Sequence, residues 1–247
     1  MAYRVEYYTA LLNAFLYIFI FTSVWKVLIP EGTIQNGLSQ KDMVAYAVLS
    51  TLIKVSFARH ESLLGTRVRT GEIAVDLMKP FNFPLMFYCD TLGVSLFQIF
   101  ARSLPILVFC VFIFGISLPV DGVLLMKFLP AYLLAFLTFS SMAFFIGSLA
   151  FFFVDIFPFW IFYFAMITLT SGAIIPLNFF PEHIAQILYY TPFPYLFYFP
   201  TMILMKKAMV FSYPQIILNY AVILAGTIGI GHLSYRYGLR KLSIAGG

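Results

Sequence analysis

The chain alternates between long apolar runs and short polar segments, and this pattern predicts six helices. A bilayer span needs about 20 mostly apolar residues, and the runs are of that size rather than the short alternating segments of a membrane barrel. We therefore predict an all-α polytopic membrane protein with one transmembrane domain over residues 1–247. The predicted spans cover about residues 7–28, 43–57, 103–118, 123–153, 157–175 and 214–235.

Two basic residues fall close to predicted spans. Lys54 lies within one turn of Ala58, so we expect its ammonium to extend to the nearer interface, with a buried functional charge as the alternative. Residues 87–100 are interpreted as an interfacial lead-in, which makes Arg102 an anchor at the start of the third span. If the helix enters the membrane earlier, Arg102 becomes an intramembrane charge that needs a partner. The lead-in is interrupted by Asp90, Gly93 and Gln98.

The longest charged segment is RHESLLGTRVRTGEIAVDLMKPFNFP, residues 59–84. Gly71 divides it, because a glycine weakens a helix and suits a cap or turn. Glu72, Asp76 and Lys79 then recur at i, i+4 and i+7, which predicts a short amphipathic helix with these charges on one face. The opposite face takes Ile73, Ala74, Leu77 and Met78. The segment is either a docking surface for a soluble partner or a solvated loop that joins two spans.

Residues 174–207 form a second unusual segment, which is apolar but repeatedly interrupted by proline. Pieces of about ten residues between prolines cannot span a bilayer. We predict short helices that dip into the interface and return under a cover of protein, because irregular backbone at that depth needs one. The prolines are Pro176, Pro181, Pro192, Pro194 and Pro200. In the last span, Gly226, Gly229 and Gly231 are the predicted packing points.

Composition and charge exclude several classes of protein. Only 10% of the residues are charged, against roughly 25% in a soluble domain. The net charge of +5 is spread over several loops and therefore does not indicate a nucleic-acid partner. Leaving out Lys54 and Arg102, eight Lys and Arg residues fall on the side of the termini and five on the other. The positive-inside rule then places both termini and the charged segment in the cytoplasm.

The sequence offers little catalytic chemistry of its own. No glycine loop followed by Lys-Ser or Lys-Thr is present, so the chain does not bind ATP by that mechanism. His60, His183 and His232 lack metal-ligand spacing. No carboxylates lie deep in the predicted spans, where a proton or ion path would need them. We expect no catalytic residues and no metal site.

Two blocks of the sequence resemble the permease subunits of type 2 ABC exporters. RTGEIAVDLMKPFNFP is similar to that family's cytoplasmic segment after the second span, where a Gly-Glu pair leads into a short helix that ends at proline. SGAIIPLNFFPEHIAQILYYTPFPYLFYFP is similar to its outer re-entrant element, with a Pro-x-x-x-x-Pro-Glu start and a Pro-Phe-x-Tyr continuation. The resemblance covers most of the chain and is nearest to the bacterial multidrug-type branch.

The resemblance implies roles for individual residues. The coupling element that docks on the ATPase takes Arg67, Arg69, Gly71, Glu72, Asp76 and Lys79. The outer re-entrant gate takes Pro176, Pro181, Glu182, Pro192 and Pro194. The family usually has a longer amphipathic helix before its first span, whereas only MAYRVEYY stands there. This difference indicates either a short elbow or a late start of the chain.

The resemblance also implies partners, location and substrate. We expect an exporter subunit in the bacterial inner membrane that works with separate ABC ATPase subunits and a second permease chain, with a heterodimer favoured. ATP and Mg²⁺ would be bound by the ATPases, and no cofactor by this chain. The substrate would be hydrophobic or amphipathic: a drug, a cationic aromatic or a lipid-like molecule. The alternative is a membrane-embedded scaffold or enzyme that works without an ATPase.

Overall fold

The computed structural model describes residues 2–57, 61–115 and 121–241, and within them the chain is almost entirely helical. Arg59 and the predicted end of the third span at residues 116–118 lie outside the described residues. In chain order the helices are α1 (Ala2–Leu28), α2 (Gln40–Ser56), α3 (Glu61–Thr70), α4 (Ile73–Met78), α5 (Phe83–Gln98), α6 (Leu104–Phe114), α7 (Gly122–Ser148), α8 (Phe157–Thr170), α9 (Glu182–Leu188), α10 (Tyr198–Leu204) and α11 (Tyr213–Leu239), and a short hairpin pairs β1 (Ile34–Gln35) with β2 (Leu38–Ser39).

Four helical segments of the described chain are long and apolar enough to cross a membrane: Tyr7–Leu28, Phe83–Phe114, Gly122–Phe151 and Tyr213–Leu239. Helix α8 is apolar but has 14 residues, and it ends at Thr170 rather than near residue 175. Helix α2 has 17 residues. These lengths support a polytopic α-helical membrane protein, whereas the count of six spans stays a prediction.

The helix that contains the predicted third span is longer than expected, because one helical segment runs from Phe83 to Phe114 over 32 residues; the start of the membrane-spanning part near Ser103 stays a prediction. A π-helical turn, Ile99–Ser103, joins α5 to α6 without breaking the segment. Polar residues or glycine inside a helix cost up to about 1 kcal/mol each, which is too little to end a helix of this length. Arg102 therefore lies inside a long apolar helix and not at its beginning.

The π turn has a local cause in Pro105, which follows it directly. Proline has no amide hydrogen and its ring clashes with the carbonyl four residues earlier, here that of Ala101. Widening the helix by one residue relieves the clash, and the Leu104 amide bonds the Ile99 carbonyl instead. The Tyr7 hydroxyl of α1 donates a hydrogen bond of 2.6 Å to the carbonyl of Ala101. Helix α1 thus supplies the donor that proline removes.

Lys54 finds a neighbour on α1, and its extension to an interface stays a prediction. Its ammonium lies 4.8 Å from the ring centroid of Tyr17 on α1. Tyr17 stands about 15 Å from each end of the candidate span Tyr7–Leu28, at about 1.5 Å per residue. The Lys54 side chain therefore lies along the interface between α1 and α2, which pack against each other.

Helices α7 and α11 form the central pair of the fold, and they run parallel. Two hydroxyl pairs join them, Ser141 with Thr227 and Ser148 with Ser234, each at 2.7 Å between oxygens. The first member of each pair belongs to α7, and the pairs repeat after seven residues on both helices. Seven residues are close to two helical turns, so the pairs lie on one seam along the interface.

Two of the three predicted packing glycines lie away from this seam. A Cβ atom added at Gly226 or Gly229 would meet nothing within 4 Å. At Gly231 it would lie 3.3 Å from the Phe144 ring, and at Gly238 only 2.6 Å from Cβ of Phe151. The close approach of α11 thus depends on Gly231, as predicted, and on Gly238, which the predicted span did not reach.

We expect Gly238→Ala to destabilise the protein by about 1–3 kcal/mol, because the added methyl group overlaps a neighbouring Cβ rather than a flexible side-chain end. The control is Gly226→Ala in the same helix, where the space is open and the higher helix propensity of alanine favours the fold slightly. The measurement is the unfolding temperature of the detergent-solubilised protein. Equal unfolding temperatures for the two variants would contradict the packing described here.

Candidate functional site

The charged segment folds into two helices that meet at Gly71. The backbone at Gly71 has φ +78°, a left-handed conformation that glycine adopts at little cost, and its amide donates to the carbonyl of Val68 at 3.2 Å. Helix α4 then runs for 6 residues and ends at Lys79, whose extended backbone precedes a proline. The short helix between Gly71 and Pro80 was predicted from the sequence and is confirmed.

Asp76 occupies a different position from the predicted one, because it faces inward and is only 8% exposed. Its carboxylate accepts a hydrogen bond of 2.6 Å from the Lys79 ammonium and one of 2.8 Å from the Arg67 guanidinium. The hydrogen bond from Lys79 lowers the pKa of Asp76 most, burial opposes it, and the charge of Arg67 lowers it further. Asp76 is therefore the link that holds α4 against α3.

The face of α4 that points away from α3 is consequently apolar, with the charge of Glu72 at its first turn. Val75 is 63% exposed and Met78 is 85% exposed, although Met78 was predicted on the face opposite the charges. Glu72 is exposed at the first turn, and its carboxylate caps none of the α4 amides. A helix-capping role for Glu72 thus has no support in this structure. Arg69 is exposed in the last turn of α3.

A second part of this surface was not found from the sequence. The link after α7, residues 152–156, lies against α3, where a Cβ atom at Gly65 would be 2.4 Å from Cδ1 of Ile156. A cavity of about 420 Å³ separates the link from Arg69, and Val154 projects from it with 94% exposure. A glycine inside α3 was the available signal, since it marks a close approach. The predicted spans left only three residues for this link.

The predicted outer segment folds as two short helices with different environments. Helix α9 begins after Pro181, which is its N-cap, and Glu182 is exposed at its first position. Pro176 precedes a 3₁₀ turn at Leu177–Phe179. Pro192 is partly buried, whereas Pro194 begins a run of buried residues that continues to Ile203. The second part of the segment, residues 194–203, is therefore covered by protein, whereas most of α9 is exposed.

Tyrosine hydroxyl groups hold this buried run in place. The Tyr198 hydroxyl donates to Asn178 Oδ1 at 2.7 Å. The Tyr220 hydroxyl of α11 donates to the backbone carbonyl of Tyr195 at 2.6 Å, and the Tyr195 hydroxyl accepts from Asn219 at 2.9 Å. These bonds satisfy polar groups that the prolines and turns leave open.

Two lysines fasten the end of α10 to other helices. Lys206 pairs with Asp121 at the beginning of α7. Lys207 pairs with Asp42 in the first turn of α2 at 2.7 Å. Neither lysine was predicted as a functional residue, since adjacent basic residues in a loop give no signal of their partners. The charged segment and the outer segment therefore lie at opposite ends of α7, which is about 40 Å long at 1.5 Å per residue.

We expect Asp76→Asn to destabilise the α3–α4 contact by about 1–3 kcal/mol, because two cations lose their acceptor. Because Lys79 is half exposed, solvent screens its ion pair, and the destabilisation should fall in the lower part of that range. Glu72→Gln, which changes an exposed acid at the beginning of the same helix, is the matched control and should leave the unfolding temperature unchanged.

Because the pKa of Asp76 is lowered, its contribution to the free energy of unfolding is fully present above the usual carboxyl pKa range. That contribution is lost only in stronger acid. The difference between variants should thus be constant from about pH 8 to about pH 5, and a difference that disappears within that range would contradict the ion pair.

Comparison with known proteins identifies the family of the chain. A family profile described as "ABC-2 family transporter protein" matches residues 11–246. The search of curated proteins and the search of solved structures give no match. The match covers both the α3–α4 unit and the outer segment, and it agrees with the resemblance in the two sequence blocks. The chain belongs to the ABC-2 family of transporter proteins and is a membrane component of an ABC transporter.

Proposed function

We propose that the chain is the membrane-spanning subunit of an ATP-driven exporter, and that separate ATPase subunits dock on the α3–α4 unit. The observation that carries the proposal is the two-sided construction of α4. Its inner side is fixed to α3 through Asp76, while its outer side presents Glu72, Val75 and Met78 without a cover in the described chain. A rigid element with an exposed apolar and charged face is suited to a protein partner.

The force of the ATPases would pass along a chain of packed elements. Closure of the ATPases on ATP pushes α4, and the Asp76 ion pairs transfer the push to α3. Helix α3 packs on α7, its Gly65 lies against the link that follows α7, and α7 is joined to the outer segment by the pair of Lys206 with Asp121. Such a movement is a rigid-body switch, and it opens a path outward between two permease chains.

The proposal also includes the ATPase subunits, a second permease chain and membrane lipid as partners. ATP and Mg²⁺ are bound by the ATPase subunits, and this chain holds no cofactor and catalyses no hydrolysis. A second permease chain, the same or a related one, completes the path, and membrane lipid covers the outward apolar faces. The transporter lies in the bacterial inner membrane, and its substrate is hydrophobic or amphipathic.

We expect Glu72→Lys to leave the protein inserted and expressed but to lower its affinity for the ATPase by roughly ten- to a hundredfold. A charge-assisted hydrogen bond across such a contact is worth about 1.5–3 kcal/mol, which corresponds to that range. The measurement is the amount of ATPase that co-purifies with the permease, together with transport.

The matched control is Glu182→Lys, the same substitution at an exposed acid of the outer segment, which should keep the ATPase bound. Glu72→Ala should give a smaller loss than Glu72→Lys, since it removes an attraction without adding a repulsion. Full ATPase retention and normal efflux with Glu72→Lys would exclude the coupling role. Absence of any co-purifying ATP-binding protein with the unmodified chain would instead favour the scaffold or enzyme.

The orientation is tested with single cysteines in a chain that lacks Cys89 and Cys110. An impermeant thiol reagent should label intact cells at Gln35→Cys, in the β1–β2 hairpin, and should not label Asp155→Cys, in the link after α7. The basic-residue count predicts this, with the loops at Gln35 and Asp121 outside and those at Arg67 and Asp155 inside. Permeabilised cells give the positive control for position 155. Labelling of position 155 in intact cells would reverse the orientation and remove the ATPase from α4.

A further inference from the structure

A cavity of about 320 Å³ lies where the α3–α4 unit meets the beginning of α5. Its bottom is apolar, because Leu64 of α3 and Phe87 of α5 are buried in one cluster. Its opening is charged: the α3–α4 unit contributes the cations of Arg67 and Lys79, and α5 contributes the carboxylate of Asp90. The cavity thus presents charges of both signs above an apolar floor.

The two cations are held in place and still have hydrogen-bond donors to offer. Both bind the carboxylate of Asp76, Arg67 through one guanidinium nitrogen at 2.8 Å and Lys79 through its ammonium at 2.6 Å. A guanidinium has five N–H donors and an ammonium has three, so each cation can bind a further acceptor. Two cations around one carboxylate also leave this cluster with an excess of positive charge.

The carboxylate of Asp90 stands apart from that cluster. Arg67 and Lys79 pair with Asp76 rather than with Asp90, and no ion pair or hydrogen bond joins Asp90 to another residue of the described chain. Asp90 is exposed and stands about 10 Å from the beginning of α5, at 1.5 Å per residue. Its oxygens are therefore open to a cationic group of a ligand.

The cavity lies at the level of lipid head groups. The helical segment Phe83–Phe114 has 32 residues and is about 48 Å long. A bilayer has a hydrocarbon core of about 30 Å and measures about 40–45 Å with its head-group layers. The first turns of a span of this length lie among the head groups, and so would the same turns in an interfacial lead-in.

A path for a hydrocarbon tail continues from the cavity along α5. Gly93 and Phe97 follow Asp90 at i+3 and i+7 and therefore share its face of the helix. Nothing lies within 4 Å of a Cβ atom added at Gly93, and Phe97 is 68% exposed. This strip is open and apolar, which suits an acyl chain.

We propose that this cavity binds a zwitterionic lipid with a primary ammonium, of the phosphatidylethanolamine type. The lipid phosphate accepts hydrogen bonds from Arg67 and Lys79, and the lipid ammonium donates to Asp90. An anionic lipid would satisfy the cations but would be repelled by Asp90. A choline lipid has a quaternary ammonium without an N–H donor. The arrangement of charges therefore selects the ethanolamine head group.

The bound lipid would bridge the α3–α4 unit to α5 and so hold the unit at the membrane surface. Its effect on coupling rests on the proposed exporter function, whereas its binding does not.

Binding is measured on the full chain, purified with its associated subunits into phosphatidylcholine nanodiscs without nucleotide. The probe is phosphatidylethanolamine with a fluorescent label on an acyl chain, compared with phosphatidylcholine and phosphatidylglycerol that carry the same label. We expect saturable binding in which phosphatidylethanolamine is preferred roughly tenfold or more, the value for one charge-assisted hydrogen bond. Equal affinities for the three lipids would overturn the proposal.

The deciding variant is Asp90→Asn. It should weaken binding of phosphatidylethanolamine roughly tenfold and strengthen binding of phosphatidylglycerol, because the repulsion is removed. A folding defect would weaken both and cannot produce this reversal. The matched control is Asp155→Asn, the same change at an exposed acid of the link after α7, which should keep the original preference. An unchanged preference in Asp90→Asn, or the same reversal in Asp155→Asn, would contradict the site.

The cations are tested with Lys79→Gln, which should weaken binding of both phosphatidylethanolamine and phosphatidylglycerol roughly tenfold. Lys79→Arg should retain most of the binding, since a guanidinium also donates to phosphate. Lys41→Gln, which alters an exposed lysine at the beginning of α2, is the control and should bind both lipids normally. Equal loss in Lys41→Gln would show that the effect is one of net charge and would overturn the site.

Further arms separate the remaining interpretations. Glycerophosphoethanolamine, the head group without acyl chains, should not displace the lipid at millimolar concentration, and displacement would assign the cavity to a soluble phosphate ester. Arg59→Gln should leave the preference unchanged, and the reversal seen with Asp90→Asn would show that Asp90 serves an ion pair within the chain; either outcome would overturn the proposal. If phosphatidylethanolamine binds selectively but no ATPase co-purifies, the exporter function fails while the lipid site stands.

Discussion

The requirement that every backbone polar group within a membrane find a partner inside the protein determines most of this structure. Where the helices are regular, they meet it by themselves. Where proline removes an amide, another element supplies the missing partner: Tyr7 reaches the carbonyl of Ala101, and Tyr220 reaches that of Tyr195. The irregular segments are consequently the places where distant parts of the sequence are joined.

This requirement also explains why the functional candidates lie where they do. The outer segment is irregular and apolar, so it can exist only under a cover of α7, α2 and α11. The π turn is irregular, and it lies beside α1 and α2, where Tyr7 donates to the carbonyl of Ala101 and Ser103 donates to that of Leu52. The α3–α4 unit needs no such cover, and its one buried charge, Asp76, is neutralised by two cations of the same segment. The surroundings of each candidate site thus determine where its polar groups find hydrogen-bond partners.

The sequence predicted the elements better than their orientation. The helix between Gly71 and Pro80 and the covered outer segment follow from glycine and proline, whose effects are local. The inward position of Asp76 could not be predicted, because Glu72, Asp76 and Lys79 give the same helical pattern whether the charges face water or each other. The helix around the third predicted span is longer than expected, because Asp90, Gly93 and Gln98 look like a break, although a helix tolerates them. The position of Lys54 beside α1 could not be predicted, because the sequence does not show which neighbour its ammonium will find.

The paired hydroxyls of α7 and α11 have a mechanical consequence. Sliding one helix along the other by a single turn would leave all four hydroxyls opposite hydrocarbon, and the loss would come at both positions together. Under the proposed coupling, an axial shift of α7 against α11 would therefore break both interhelical hydrogen bonds at once. The two helices would then tilt together as one rigid unit. A displacement of α3 at one end of α7 would produce a displacement of α10 in the opposite direction at the other end. The ratio of the two displacements depends on where along α7 and α11 the neighbouring helices hold the pair.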